Sequence, residues 1–179
     1  MIQNLTEGES QRTLIKYTLP MFISVVFQQF YNMADSMIAG KFAGEDALAA
    51  VGASYPITMI FMAVAVGSNI GCSVVLSQLF GAKAYEKVRT AVTTILITGT
   101  VLSAVLTAVG LVATPAMMHM IRTPENIFGD GALYLKIYIG GFVFLFLYNV
   151  TTGMFNSLGD STTPLYFLIG SSLGNIALD

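Results

Sequence analysis

Between Asp46 and Lys83 the chain carries no charged side chain, and no other feature constrains its fold as strongly. A membrane-spanning helix needs roughly 20 mostly apolar residues to cross about 30 Å of hydrocarbon, and this gap is long enough. The other charges mark out further gaps. One candidate span runs from Leu14 to Ala39 with only Lys16 and Asp35 charged. Another lies between Arg89 and His119, and a fourth between Asp130 and Asp160, with Lys136 near its start. A fifth begins at Pro164 and continues to Asp179. The expected helices are 14–39, 47–80, 88–118, 125–156 and 164–179. Helix is preferred to strand because the runs are long and lack period-2 alternation. Lipid also demands that each segment satisfy its own backbone groups.

Composition supports an integral membrane, all-α fold. Hydrophobic residues make up 55% of the 179 and charged residues 10%, against roughly 25% charged in an ordinary globular domain. A soluble fold of this length could not hide so much apolar surface in one core. The net charge of −2 gives no reason to expect a nucleic-acid partner. Residues 1–11 contain Glu7 and Glu9 and no basic residue, so no cleavable signal is expected there. The single cysteine, Cys72, excludes an internal disulfide and a cysteine-based zinc site. Lys and Arg set orientation. Of the eight, Arg12, Lys16, Lys83, Lys87 and Arg89 fall on the N-terminal side of the membrane, and Lys41, Arg122 and Lys136 on the other. This bias favours a cytoplasmic N-terminus.

Local punctuation places the ends of the helices. Thr123-Pro124-Glu125 reads as an N-cap, a proline in the first helical position and a favourable acid. Thr163-Pro164 repeats that start. Pro20 and Pro56 are expected near the beginnings of their helices, and Pro115 is expected to end or kink the third. Gly67 with Gly71, and Gly170 with Gly174, have the spacing that lets helix backbones approach. Glycine is also simply common in membrane helices, and the spacing does not decide between the two.

The informative residues are the polar ones that lipid should reject. Asp35 lies about 21 residues into the first span, and Gln28 and Asn32 precede it by seven and three. These three share a helix face, which Ser24 extends by a turn. An ionised carboxylate in a span costs several kcal/mol, so such groups usually face a bundle interior or a wet cavity. The alternative is an interfacial acid reaching water. Asn175 and Asp179 share a face behind Ser171, which suits a simple helix end equally well. Tyr134, Tyr138, Tyr148 and Asn149 are candidates to line a cavity from the fourth helix, although tyrosine is also the ordinary interfacial residue. Asn69 and Gln78 read as interhelical hydrogen-bond partners. His119, the only histidine, reads as an interface residue. There is no phosphate-binding loop, no catalytic triad spacing and no histidine pair for a metal, so enzyme chemistry is not expected.

Several local strings together resemble the multidrug and toxic compound extrusion (MATE) exporters, of a DinF-like or related bacterial branch. They are Leu19-Pro20 through Gln28-Gln29-Phe30-Tyr31-Asn32-Met33-Ala34-Asp35-Ser36-Met37-Ile38-Ala39-Gly40, Ala47-Leu48-Ala49-Ala50-Val51-Gly52 and Ser77-Gln78-Leu79-Phe80-Gly81-Ala82. Gly153 through Pro164 and Asn175-Ile176-Ala177-Leu178-Asp179 complete the set, all in family order over nearly the whole chain. The resemblance implies a fold of twelve helices in two six-helix lobes. The chain then supplies about five transmembrane helices, an incomplete N-terminal lobe, with the sixth helix and the C-terminal lobe missing.

The resemblance also assigns Asp35, Asp179 and the neighbouring Asn175 to a cation site of the N-terminal lobe, with Tyr138 as a wall residue. Two acids facing one cavity would repel each other and be poorly solvated. Such a pair gains by taking up H⁺ or coordinating Na⁺. Asn175, Asn32 and Gln28 would supply carbonyl oxygens. The expected function is part of a Na⁺- or H⁺-coupled antiporter in the plasma membrane, exporting cationic or amphipathic drug-like molecules, with no organic cofactor. The alternatives are a flippase for lipid-linked precursors, which should need deep basic residues, and a non-transporting membrane assembly partner.

Overall fold

The computed structural model describes residues 10–42 and 44–178. Its elements are α1 (Ser10–Phe42), α2 (Gly44–Gly81), α3 (Tyr85–Met120), α4 (Glu125–Gly140), α5 (Phe142–Ser157) and α6 (Thr162–Leu178). No strand occurs among the described residues. Among them, α3 and residues Ala47–Gly81 of α2 are long and apolar enough to cross a membrane. The pair α4 and α5 makes a third span if it is counted as one.

That pair departs from the single helix expected over 125–156. The axis bends by 46° at Gly141. Adjacent glycines, Gly140 and Gly141, sit at the break, a common cause of sharp kinks. The N–H of Gly141 still closes on Ile137 O at 3.1 Å, and Gly141 O then accepts from Phe144 N at 3.1 Å and Leu145 N at 3.3 Å. The backbone therefore stays bonded through the bend.

α1, α2 and α3 run past their expected ends, and α6 starts two residues earlier than expected. Pro20 and Pro56 lie about three turns inside α1 and α2, and α3 passes through Pro115 to Met120. What stops α3 is a Schellman turn. Arg122 adopts φ 55°, its N–H bonds His119 O at 3.0 Å, and Thr123 N–H bonds Met118 O at 3.2 Å. The Thr123 hydroxyl donates to Met118 O as well, at 3.1 Å. It therefore closes α3 rather than capping α4, and Pro124 takes the N-cap position with φ −58° and ψ 144°. Lys83 (φ 57°) and Gly159 (φ 84°) end α2 and α5 with the same paired bonds.

α2 occupies the centre of the lobe. It packs against α3, α4 and α5 and touches α1, while α1 and α6 pair at the side. The core joins Ile57, Phe61 and Leu76 of α2 to Met118 of α3, Ile139 of α4, and Phe142 and Phe146 of α5. Phe61 meets Phe142 edge-on at 5.0 Å between ring centroids. The buried hydroxyls of Ser54 and Thr114 stay inside their own helices, donating to Ala50 O and Gly110 O, each at 2.8 Å. Large apolar side chains crowd the outer surface, among them Val112 (84% exposed) and Ile137 (68%). Soluble folds keep such side chains inside; lipid makes their exposure cheap.

Four glycines let neighbouring side chains close in, and none belongs to the pairs expected to do so. A Cβ on Gly110 of α3 would stand 2.6 Å from the Phe61 ring and 3.0 Å from Ile139. Gly153 of α5 faces Asn69 and Ser73 of α2 just as tightly, and Gly99 and Gly131 receive Phe146 and Met118. Nothing lies within 4 Å of a Cβ on Gly67, Gly71, Gly170 or Gly174. Asn69 accepts from Ser73 Oγ at 3.2 Å in its own helix and makes its interhelical contact by packing over Gly153. His119 is exposed and packs against Phe128 with the rings tilted by 36° and 4.7 Å between centroids.

Candidate functional site

A cavity of about 790 Å³ opens between α1, α2, α5 and α6. The hydroxyl and amide side chains that reject lipid converge here. α1 contributes Ser24 and Gln28, one turn apart. α5 contributes Tyr148, Asn149, Thr152 and Asn156, and α6 contributes Ser171. Met21, Val25, Met62, Phe144, Leu145, Pro164 and Leu168 form the apolar part of the wall. A second groove of about 430 Å³ between α5 and α6 shares Tyr148, Thr152, Pro164 and Ser171 with it.

Hydrogen bonding within the wall leaves oxygens available to the cavity. Ser24 Oγ donates to Pro20 O at 2.9 Å, Ser171 Oγ to Leu168 O at 3.1 Å, and Asn149 Nδ2 to Leu145 O at 2.9 Å. Each group spends a donor on its own helix and keeps oxygen lone pairs. The Asn156 Oδ1 atom is buried with no partner. No Lys or Arg appears among the described lining residues. The surface thus suits a cation, or a ligand that donates hydrogen bonds, better than a phosphate.

One end of the cavity is closed by a clasp across the start of α1. The Tyr17 hydroxyl donates to Asn156 O at 2.7 Å, and Ser161 Oγ donates to Tyr17 O at 2.9 Å. Beside it, Asp160 anchors α6. Its carboxylate accepts from Thr162 N at 3.2 Å, Thr163 N at 3.1 Å and Thr163 Oγ1 at 2.8 Å. Thr163 was expected to cap this helix, but it lies inside the first turn and donates to the cap. Burial pushes the Asp160 carboxyl upward, and the Thr163 bonds are among the effects that leave it below its ordinary value.

The expected site residues fall unevenly on this geometry. Gln28 lines the cavity. Tyr138 does not: it packs against the core and stacks on Tyr134 at 6.3 Å. Tyr148 and Asn149 take the wall position instead. The side chains of Asn32, Asp35 and Asn175, and Asp179 altogether, lie outside the described residues. Among the described residues no three His, Cys, Asp or Glu side chains converge as a metal site. Thr152, Asn156, Tyr17 and Ser161 were not anticipated as site residues. Asn149, Thr152 and Asn156 recur at i, i+3 and i+7 on α5, a one-face spacing that could have found them.

Comparison with known proteins then places the chain. The MatE family model matches residues 20–179. The probable multidrug resistance protein YoeA of Bacillus subtilis is 33% identical over 167 residues, covering 93% of this chain and 36% of that protein. An FAD transporter of Shewanella oneidensis is 24% identical, covering 94% of this chain and 37% of that protein. Among solved structures, a MOP-superfamily transporter from Pyrococcus furiosus superposes with a TM-score of 0.89 at 25% identity, over 97% of this chain and 38% of that one. The chain therefore spans well under half the length of the relatives it matches.

Proposed function

This chain belongs to the MatE family of membrane transporters, and from that premise we propose that it forms one cavity wall of a cation-coupled efflux antiporter. The observation that carries the reading is the cavity itself. Its polar wall is carried mostly by α5 and completed by the paired helices α1 and α6, whose sequences lead on to Asp35 and to Asp179. Asp35 lies seven residues beyond the cavity-lining Gln28, and Asp179 eight beyond the cavity-lining Ser171. A proton or Na⁺ taken up by that acid pair, with Asn175 beside it and Gln28 and Asn32 as further oxygen donors, relieves the repulsion between the acids. The packing of α1 against α6 shifts with ion occupancy, and the shift releases the exported molecule. No covalent chemistry is involved.

Alternating access needs a second lobe moving against the first around a central site. The transport-competent unit therefore combines this lobe with a C-terminal one in the plasma membrane, with the N-terminus of the chain cytoplasmic. The oxygen-rich wall without basic groups supports cationic or amphipathic drug-like substrates over lipid-linked pyrophosphates. The test is efflux by the transporter that contains this lobe, carrying Asp35→Asn or Asp179→Asn. Each is expected to abolish ion-driven efflux while leaving the protein in the membrane. Ion-driven efflux unchanged in both variants overturns the assignment.

A further inference from the structure

Apart from that cavity and the groove beside it, α2 and α3 enclose a further, open groove of about 600 Å³. Gly71, Cys72 and Val75 line it from α2, and Thr90, Ala91, Thr94 and Ile95 from α3; the two threonine hydroxyls donate to Glu86 O and Thr90 O of their own helix, and the surface is almost wholly apolar. Glu86 and Lys87 stand at its mouth, beside the turn between the helices. Neither makes an ion pair among the described residues. Cys72 and Ile95 also line a smaller cavity of about 230 Å³ that continues the groove to Gly99, Leu102 and Phe146.

The dimensions match half a bilayer. From Glu86 to Leu102 the groove follows α3 for sixteen residues, about 24 Å at 1.5 Å per residue. Half of a bilayer with its headgroups is about 20–22 Å. An acyl chain in the groove brings its headgroup to the charged mouth. A phosphate meets Lys87 there, and a primary ammonium can donate hydrogen bonds to the Glu86 carboxylate. A quaternary ammonium has no proton to donate, and a purely anionic headgroup leaves Glu86 opposed.

We propose that the α2–α3 groove is a binding site for one zwitterionic aminophospholipid, of phosphatidylethanolamine chemistry, from the leaflet on the side of the α2–α3 turn. Native mass spectrometry of the delipidated full chain, with equal additions of dioleoyl phosphatidylethanolamine, phosphatidylcholine and phosphatidylglycerol, tests it. One phosphatidylethanolamine per chain is expected to survive detergent stripping, favoured about fivefold over either competitor, as an exposed charge pair allows. Glu86→Gln removes that preference, and Lys87→Gln lowers retention of every phospholipid. Gly71→Phe fills the groove from a position with open space around its Cβ and abolishes retention. Val109→Phe, at an exposed α3 position outside the groove, retains the lipid and reports that an added ring on this surface is tolerated. Equal retention of the three lipids, undiminished retention by Gly71→Phe, or a second copy of the chain bound in place of lipid overturns the proposal.

Discussion

At the scale of single residues, the side chains with the largest structural consequences are polar and local. Asp160 is 7% exposed, and its carboxylate holds the first turn of α6 through three hydrogen bonds from Thr162 and Thr163. Replacing a capping side chain with alanine typically costs about 1 kcal/mol, up to about 2, and Asp160→Ala is expected to fall in that range. Because the folded carboxyl titrates below its ordinary value, it binds its proton less readily folded than unfolded. Its stabilisation is therefore fully present above the ordinary aspartate value near 4 and is lost as pH falls through the lower folded value. Thermal unfolding in detergent at descending pH should show this loss in the parent chain. Asp160→Ala, already destabilised, should show less of it. An identical acid profile in the two proteins contradicts the role.

At the scale of elements, helix packing separates glycines that look alike in sequence. A methyl group on Gly110 meets the Phe61 ring at 2.6 Å and Ile139 at 3.0 Å. Overpacking of this kind costs about 1–3 kcal/mol, so Gly110→Ala is expected to lower the unfolding midpoint. Gly67→Ala adds a methyl group to open space and removes a flexible residue from a helix interior, worth about 0.5–1 kcal/mol in the other direction. Opposite shifts in the two midpoints, measured in one detergent, are the expected result. The same contrast corrects the reading of spacing. Four-residue glycine pairs mark a smooth strip on a helix, but which strip meets a neighbour is decided by the arrangement of the bundle.

At the scale of the whole molecule, the clasp between Tyr17 and the α5–α6 turn puts the start of α1 at the same end of the lobe as that turn. The chain reverses between α1 and α2 and again between α2 and α3, which brings the turn carrying Lys83, with Lys87 just beyond it in α3, to the same end, and the Arg122 turn to the opposite one. The Lys and Arg bias is the basis on which we propose that the first end is cytoplasmic. In a Cys72→Ser background, Tyr85→Cys should react with a membrane-impermeant maleimide only in inside-out vesicles, and Arg122→Cys only in right-side-out ones. The reverse pattern would invert the topology.

The charge gaps alone determine that this chain is helical and lives in lipid. Any stretch of that length and apolarity must satisfy its backbone within itself, wherever it packs. The approximate positions of the turns were also legible, because Gly, Pro, Thr and charged residues gather there. Their chemistry was less so: Thr123 and Thr163 look like caps from their neighbours, yet the hydrogen bonds of Met118 and Asp160 claim them. Likewise, helical spacing groups Ser24 with Gln28, and Asn149 with Thr152 and Asn156, but says nothing of whether those two stripes face each other. Only the tertiary structure sets them across one cavity, turns Tyr138 into the core and bends the fourth span at Gly141. The physical reason is that periodicity is a property of one helix, whereas a cavity is a relation between helices fixed by how their unlike surfaces pack.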